Sequence, residues 1–118
     1  MRNGILATVC VLGCVAATHG AALAADKPMR LWNLTTATIV DFRLAPAGAQ
    51  NFGPNLTKAD KDGEVDHDER LPIRGVAPGR YDARIVQRGG RTCAVAGLEL
   101  AAGKVFTIED KQLAGCSK

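Results

Sequence analysis

The stretch RYDARIVQRGGRTCAVAG (residues 80–97) decides the fold, because it has the pattern of two β-strands joined by a glycine turn. In its first half, apolar residues alternate with charged ones. The apolar set is Tyr81, Ala83 and Ile85, and the charged set is Arg80, Asp82, Arg84 and Arg88. A period of two with one apolar face is typical of a half-buried strand. Gly89 and Gly90 can adopt the positive φ angles of a two-residue turn, so we expect a β-hairpin here.

The N-terminal residues have the pattern of a secretory signal peptide. Arg2 precedes an apolar run at residues 5–17, and the small residues 21–25 follow that run. The apolar run is too short to span a membrane comfortably. We therefore expect residues 1–25 to be removed on export and residues 26–118 to form one domain without a transmembrane segment.

Lipidation is an alternative outcome for the same N-terminal segment. Val11-Leu12-Gly13-Cys14 is similar to a bacterial lipobox, in which the cysteine is lipidated and becomes the new N-terminus. The small residues that follow favour ordinary cleavage instead. The predicted location is periplasmic or secreted, and a lipoprotein anchored at Cys14 is the alternative.

Two cysteines remain after the predicted signal peptide, Cys93 and Cys116. An even pair of cysteines in an exported chain indicates a disulfide. Such a bond would tether the C-terminal tail to the hairpin and stabilise the fold by about 3 kcal/mol. Free thiols, or a pair that awaits a metal, are the alternatives.

The remainder of the chain has the pattern of short strands separated by turns. Further strands are predicted at residues 30–35, 36–45, 71–76 and 104–108, and one helical turn at residues 109–113. Pro72 has no N–H to donate to a neighbouring strand, so its strand is expected at a sheet edge. Trp32 is expected in the core or at its rim, and Phe52 at one end of the core. We predict an all-β fold, a small antiparallel β-sandwich of about six to seven strands with a disulfide-tethered C-terminal tail.

Five short groups of residues in the exported part follow a recognisable order. They are Asn33-Leu34-Thr35, Thr38-Ile39, Leu44-Ala45-Pro46, Phe52-Gly53-Pro54-Asn55-Leu56 and Tyr81-Asp82-Ala83-Arg84-Ile85. In this order the chain resembles a group of small exported proteobacterial proteins with the pattern NNTG-TI--LYVSPS----WG-D-L…YDLRVV, which have no assigned activity. The resemblance implies export and a small β-domain, but no particular chemistry. The chain departs from the pattern at Phe52, where the group has tryptophan, and at residues 58–69, which have no counterpart.

Residues 58–69, KADKDGEVDHDE, are similar to the calcium loop of EF-hand proteins. The candidate metal ligands are Asp60, Asp62, Glu64, Asp66 and Glu69. Alternating carboxylates around the glycine turn at Gly63 are suitable oxygen ligands for a hard cation. Lys58 occupies the first ligand position, however, and no helix is predicted on either side. The alternative is a solvated acidic loop. His67, with a neighbouring aspartate, gives the weaker hypothesis of a transition-metal site, and an exposed loop histidine is its alternative.

The basic residues of the first hairpin strand form a second candidate site. Arg80, Arg84 and Arg88 are expected on one face, and guanidinium groups bind carboxylates and phosphates well. That face is a candidate for an anionic partner such as a lipid head group or an acidic glycan. The alternative is a solvated sheet face that discourages aggregation. Asn33 and Asn55 begin Asn-x-Thr triplets, which are formal glycosylation acceptors.

The side chains from which an enzyme active site is built are scarce. His67 and Ser117 are the only histidine and serine after residue 25, and both remaining cysteines are expected to be bonded. We therefore predict no enzymatic activity, but an exported binding or structural module of the cell envelope whose partner is an envelope protein or an anionic surface. A calcium-binding module that uses residues 58–69 is the alternative function, with Ca²⁺ as its cofactor; otherwise no cofactor is expected. Nucleic acid is not expected to bind an exported protein.

Overall fold

The regular structure consists of β-strands and two 3₁₀ helices in the computed structural model, which describes residues 28–118. The strands are β1 (Met29–Leu34), β2 (Ile39–Pro46), β3 (Arg70–Ile73), β4 (Gly79–Gln87), β5 (Thr92–Leu100), β6 (Val105–Glu109) and β7 (Ala114–Ser117). The 3₁₀ helices are Leu56–Ala59 and Asp110–Gln112. The predicted all-β class is confirmed. The predicted signal peptide and the alternative anchor at Cys14 lie outside the described residues.

Two sheets enclose the core. One has the order β3-β1-β6 and the other the order β2-β4-β5-β7. Alternate residues of the strands point inward, and the largest fully buried side chains include Phe42, Leu31 and Ile85. The predicted β-sandwich is therefore confirmed. One pairing is parallel rather than antiparallel, because β1 and β6 are distant in sequence and no hairpin sets their relative direction.

The hairpin of β4 and β5 is the centre of the larger sheet. Ala83 and Ile85 are buried, as the alternation predicts. The turn has three residues rather than two, because Gln87 N–H donates to Arg91 O at 2.8 Å and Gly90 N–H donates to Gln87 O at 2.9 Å. The prediction of a two-residue turn is therefore wrong by one residue, although Gly89 and Gly90 both have positive φ.

A disulfide joins Cys93 on β5 to Cys116 on β7, which confirms the predicted bond and the tethered tail. Strand β7 itself is not predicted from the sequence. Its residues, AGCS, lack the alternation and the β-branched side chains that mark a strand. Pairing with β5 and the disulfide place it at the edge of the larger sheet.

The smaller sheet has β3 at one edge, as Pro72 predicts. On the neighbouring strand β1, Trp32 is half-buried on the outer face of this sheet, where its Nε1–H donates to Asp68 Oδ1 at 2.9 Å. The guanidinium carbon of Arg70 lies 4.3 Å from the centre of the indole ring. Between residues 28 and 118, no helix has the length and the apolar character that crossing a membrane requires.

Candidate functional site

The carboxylates of the acidic segment, residues 58–69, point to different partners. Glu64 forms an ion pair with Arg88. Asp66 Oδ1 accepts a hydrogen bond from Thr38 Oγ1 at 2.9 Å. These two side chains therefore hold the segment against the sandwich instead of converging on one point.

Among the predicted ligands, Asp60 and Glu69 lie close enough for each carboxyl group to shift the pKa of the other. The backbone N–H of Asp62 and the hydrogen bond with Glu69 lower the pKa of Asp60. The backbone N–H of Asp66 lowers the pKa of Glu69, but partial burial and the neighbouring carboxylates outweigh it, so the net pKa of Glu69 is raised.

No group of three or more His, Cys, Asp or Glu side chains that could hold a metal ion occurs within residues 28–118. The full ligand set predicted for calcium is not assembled there, and calcium binding stays a prediction. His67, the candidate transition-metal ligand, has its Nδ1 atom 2.7 Å from Thr35 O. Because a carbonyl oxygen can only accept, Nδ1 carries the proton and donates it in this contact.

Asn33 holds the acidic segment in this arrangement. Its backbone N–H donates to Glu69 O at 3.0 Å, and its carbonyl accepts from Asp68 N–H at 2.7 Å. Its side-chain Nδ2 donates to Val65 O at 2.9 Å. Val65 is fully buried and forms a two-way backbone bridge with Ile39. The segment is therefore packed on the end of β1, not presented as an independent loop.

The two Asn-Leu-Thr triplets form the same local hydrogen-bonded motif. In each, the asparagine Oδ1 accepts from the threonine N–H at 3.0 Å. It also accepts from the threonine hydroxyl, at 2.6 Å in Asn33–Thr35 and 2.8 Å in Asn55–Thr57. Because Asn33 is fully buried, it is closed to glycosylation in the folded protein. The two identical Asn-Leu-Thr triplets could have predicted this motif from the sequence, since an asparagine side chain often accepts a hydrogen bond from the backbone N–H two residues later.

Asn55 fixes the loop of residues 47–55 to a bulge in β2. The bulge lies at Val40, between Ile39 and Asp41 in the register. Asn55 Oδ1 accepts from Phe42 N–H at 3.1 Å, and its Nδ2 lies 3.4 Å from Val40 O. The Asn55 side chain therefore supplies hydrogen-bond partners to backbone groups of β2 beside the bulge, where the pairing with the neighbouring strand is interrupted.

Of the three arginines predicted to share one face, Arg80 and Arg84 are both exposed on β4, whereas Arg88 is not part of that strand. Arg88 lies beyond the end of β4 and pairs with Glu64. Arg80 lies over Gly97, where an added Cβ would be 3.1 Å from Arg80 Nη2. Arg84 alone stays exposed in the middle of the strand, and it has neither a hydrogen-bond nor an ion-pair partner among residues 28–118.

Arg43, which the sequence reasoning missed, lies directly opposite Arg84 on the neighbouring strand β2. Arg43 Nε and Nη2 bind the two oxygens of Asp41 at 2.9 and 3.2 Å. This interaction with Asp41 raises the pKa of Arg43 further. Like charges directly opposite each other on adjacent strands are unfavourable, and Asp41 neutralises only one of the two. The outer face of the larger sheet therefore carries one uncompensated positive charge at this point.

The loop of residues 47–55 covers part of this outer face and creates a cleft on each side of Arg84. One cleft has a volume of about 400 Å³ and is lined by Asp41, Arg43, Gln50, Asn51, Phe52, Arg84 and Val86. The other has a volume of about 340 Å³ and shares Gln50, Phe52 and Arg84. Phe52 is thus a half-buried wall of both clefts and does not belong to the core, contrary to prediction.

Asp82 positions the covering loop. Its Oδ2 accepts from Gly48 N–H at 3.0 Å, and its Oδ1 accepts from Gly97 N–H at 3.1 Å. One carboxylate therefore joins the loop to a bulge in β5, beside the clefts. These two backbone N–H groups lower the pKa of Asp82.

We expect the stabilising effect of Asp82 to depend on pH. A lowered folded-state pKa means that the contribution is complete above the unfolded-state pKa and is lost as pH falls through the folded-state pKa. Urea unfolding of the native protein and of Asp82→Asn should therefore differ most at neutral pH, and the difference should shrink below about pH 4. A difference that is constant between neutral and acidic pH would contradict this role for the carboxylate.

Comparison of the chain with family models, with curated proteins and with solved structures finds no match. The resemblance to small exported proteobacterial proteins therefore stays a prediction. The clefts around Arg84, together with the residues that position the loop over them, are the candidate binding site.

Proposed function

We propose that this protein is a non-enzymatic binding module, exported to the cell envelope, that recognises an acidic glycan in the clefts beside Arg84. The observation that carries the proposal is the cross-strand pair of Arg43 and Arg84, in which Arg84 has no acidic partner among residues 28–118. A ligand carboxylate between the strands would offset the second guanidinium, as Asp41 offsets the first.

The geometry of arginine supports a carboxylate as the recognised group. A guanidinium presents two parallel N–H groups that match the two oxygens of a carboxylate. Arg43 already shows this pairing with Asp41. Arg84 is free to make the same contact with an external anion, because it is exposed on the adjacent strand.

The other lining groups support a glycan. Gln50 and Asn51 carry amides that both donate and accept hydrogen bonds, which suits hydroxyl groups. Phe52 supplies an apolar surface against which a sugar ring can lie. The volume of about 400 Å³ is in the range of small-molecule sites.

The positions of the potential catalytic groups support a non-enzymatic role. Cys93 and Cys116 are joined in the disulfide, so neither thiol is free to act as a nucleophile. The disulfide also supports export, because such bonds persist in oxidising compartments.

The test is a calorimetric titration of the protein with a tetrasaccharide of galacturonic acid, with EDTA present to exclude bridging metal ions. We expect Arg84→Glu to weaken binding by about tenfold or more, because it replaces a charge-assisted bond by repulsion. The methyl ester of the same tetrasaccharide, which is neutral, should bind much more weakly. Binding should also weaken between 20 and 300 mM NaCl, where the Debye length falls from roughly 20 to 6 Å.

Two variants serve as controls. Arg91→Glu makes the same charge change on an exposed residue at the hairpin turn, so it should leave the affinity near that of the native protein. Arg84→Lys keeps the positive charge but lacks the two parallel N–H groups of the guanidinium, so it should give an intermediate affinity. Equal binding of the acid and its ester, or equal losses in Arg84→Glu and Arg91→Glu, would refute the proposal.

A further inference from the structure

We infer a second, separate binding site for a single acyl chain with a carboxylate head, in a cleft at one end of the sandwich. The cleft has a volume of about 390 Å³ and lies between residues 53–56 and residues 74–77. None of its lining residues lines either cleft beside Arg84. The inference therefore does not depend on the proposed glycan site.

The floor of the cleft is apolar surface that the fold leaves incompletely covered. Leu44 of the core reaches it from below. In the described part of the chain, four partly buried apolar side chains pack against the core, namely Leu56, Val76, Tyr81 and Leu113. Three of these four line this one cleft, so the exposed margin of the core is concentrated here.

The walls of the cleft are held by hydrogen bonds. The Tyr81 hydroxyl donates to Ala77 O at 2.7 Å, which fixes the phenol ring against the loop after β3. On the opposite side, Gly53 N–H donates to Leu44 O at 2.9 Å. The apolar trough between the two walls is therefore formed before any ligand arrives, which lowers the entropic cost of binding.

Charge selects the head group of the ligand. Arg74 is the one charged residue that lines the cleft, and it is exposed at the rim. It has no hydrogen-bond or ion-pair partner among residues 28–118. An apolar trough that ends at a single unpaired guanidinium is complementary to an acyl chain that ends in a carboxylate.

The test is a titration of the ¹⁵N-labelled protein with octanoate and decanoate below their micellar concentrations, followed by NMR. We expect saturable shifts of the backbone amides of residues 53–56 and 74–81, apart from Pro54 and Pro78, which have no N–H. Decanoate should bind about fifteen times more tightly than octanoate, because two further CH₂ groups leave water. Decanamide, which has the same chain and no charge, should bind about three to five times more weakly than decanoate, the range of an exposed ion pair.

Substitutions separate this site from non-specific uptake of a detergent-like ligand. Arg74→Gln should weaken decanoate to the level of decanamide, whereas Arg91→Gln, an equally exposed site at the far end of β4, should not change it. Val76→Asp places a charge on the floor and should abolish binding of both ligands. Shifts spread over the surface without saturation, or an unchanged affinity in Arg74→Gln, would overturn the inference. Since the glycan variants alter different residues, either site can fail without the other.

Discussion

Replacement of Asn33 by alanine is expected to lower the free energy of unfolding by about 3 kcal/mol. It removes several buried hydrogen bonds and leaves the buried N–H of Thr35 without an acceptor. The lost bonds are those of Nδ2 to Ala37 O and Val65 O and those that Oδ1 accepts from Thr35. The N–H of Thr35 would be left buried without its acceptor. Urea denaturation followed by the fluorescence of Trp32 measures the change.

The second triplet provides the matched control. Asn55 makes the same motif with Thr57 but is only half-buried, so Asn55→Ala should cost about 1–2 kcal/mol. Asn33→Asp keeps the acceptor and the shape but turns a carboxylate oxygen toward two carbonyls, and it should be at least as harmful at neutral pH. Its stability should improve as pH falls, because burial favours the protonated acid. Equal losses at Asn33 and Asn55 would mean that burial does not set the cost.

Removal of the Cys93–Cys116 disulfide should lower the free energy of unfolding by about 3 kcal/mol, because the unfolded chain then regains the freedom of the loop that the bond closes. The sequence separation of the two cysteines is 23 residues. Strand β7 has only two register pairs with β5, Thr92 with Ser117 and Ala94 with Ala114. Its amides should therefore exchange with solvent much faster once the bond is absent.

The measurement compares the native protein with the double variant Cys93→Ala/Cys116→Ala in urea, with and without a phosphine reductant. The reductant should shift the unfolding midpoint of the native protein toward that of the variant, and it should leave the variant unchanged. If reduction leaves the midpoint of the native protein where it was, the disulfide does not constrain the unfolded chain as proposed.

Local pattern was sufficient wherever a residue's neighbours in sequence are also its neighbours in space. The alternation in residues 80–85 places Ala83 and Ile85 in the core, and Pro72 marks an edge strand. The helical turn expected near residues 109–113 is the 3₁₀ helix Asp110–Gln112. Each of these features depends on backbone chemistry within a few residues, which the sequence displays directly.

The arrangement of the acidic segment, residues 58–69, could not be predicted from local sequence pattern. Its spacing resembles a calcium loop, but Glu64, Asp66 and Asp68 are directed to partners 24 to 36 residues away, at Arg88, Thr38 and Trp32. In the same way, Arg88 pairs with Glu64 beyond the end of β4 and does not continue the face of Arg80 and Arg84. The sequence pattern within the acidic segment or within β4 does not identify those distant partners.

The sequence by itself therefore determined the all-β class, the central hairpin, the edge strand at Pro72 and the pairing of Cys93 with Cys116. Only the tertiary structure decided that β1 and β6 run parallel and that Arg43 opposes Arg84. Strand periodicity and the pairing of two cysteines are properties of short segments or of composition. Which side chains face each other on neighbouring strands depends instead on the strand register and on the course of the connecting loops, and both are set by long-range packing.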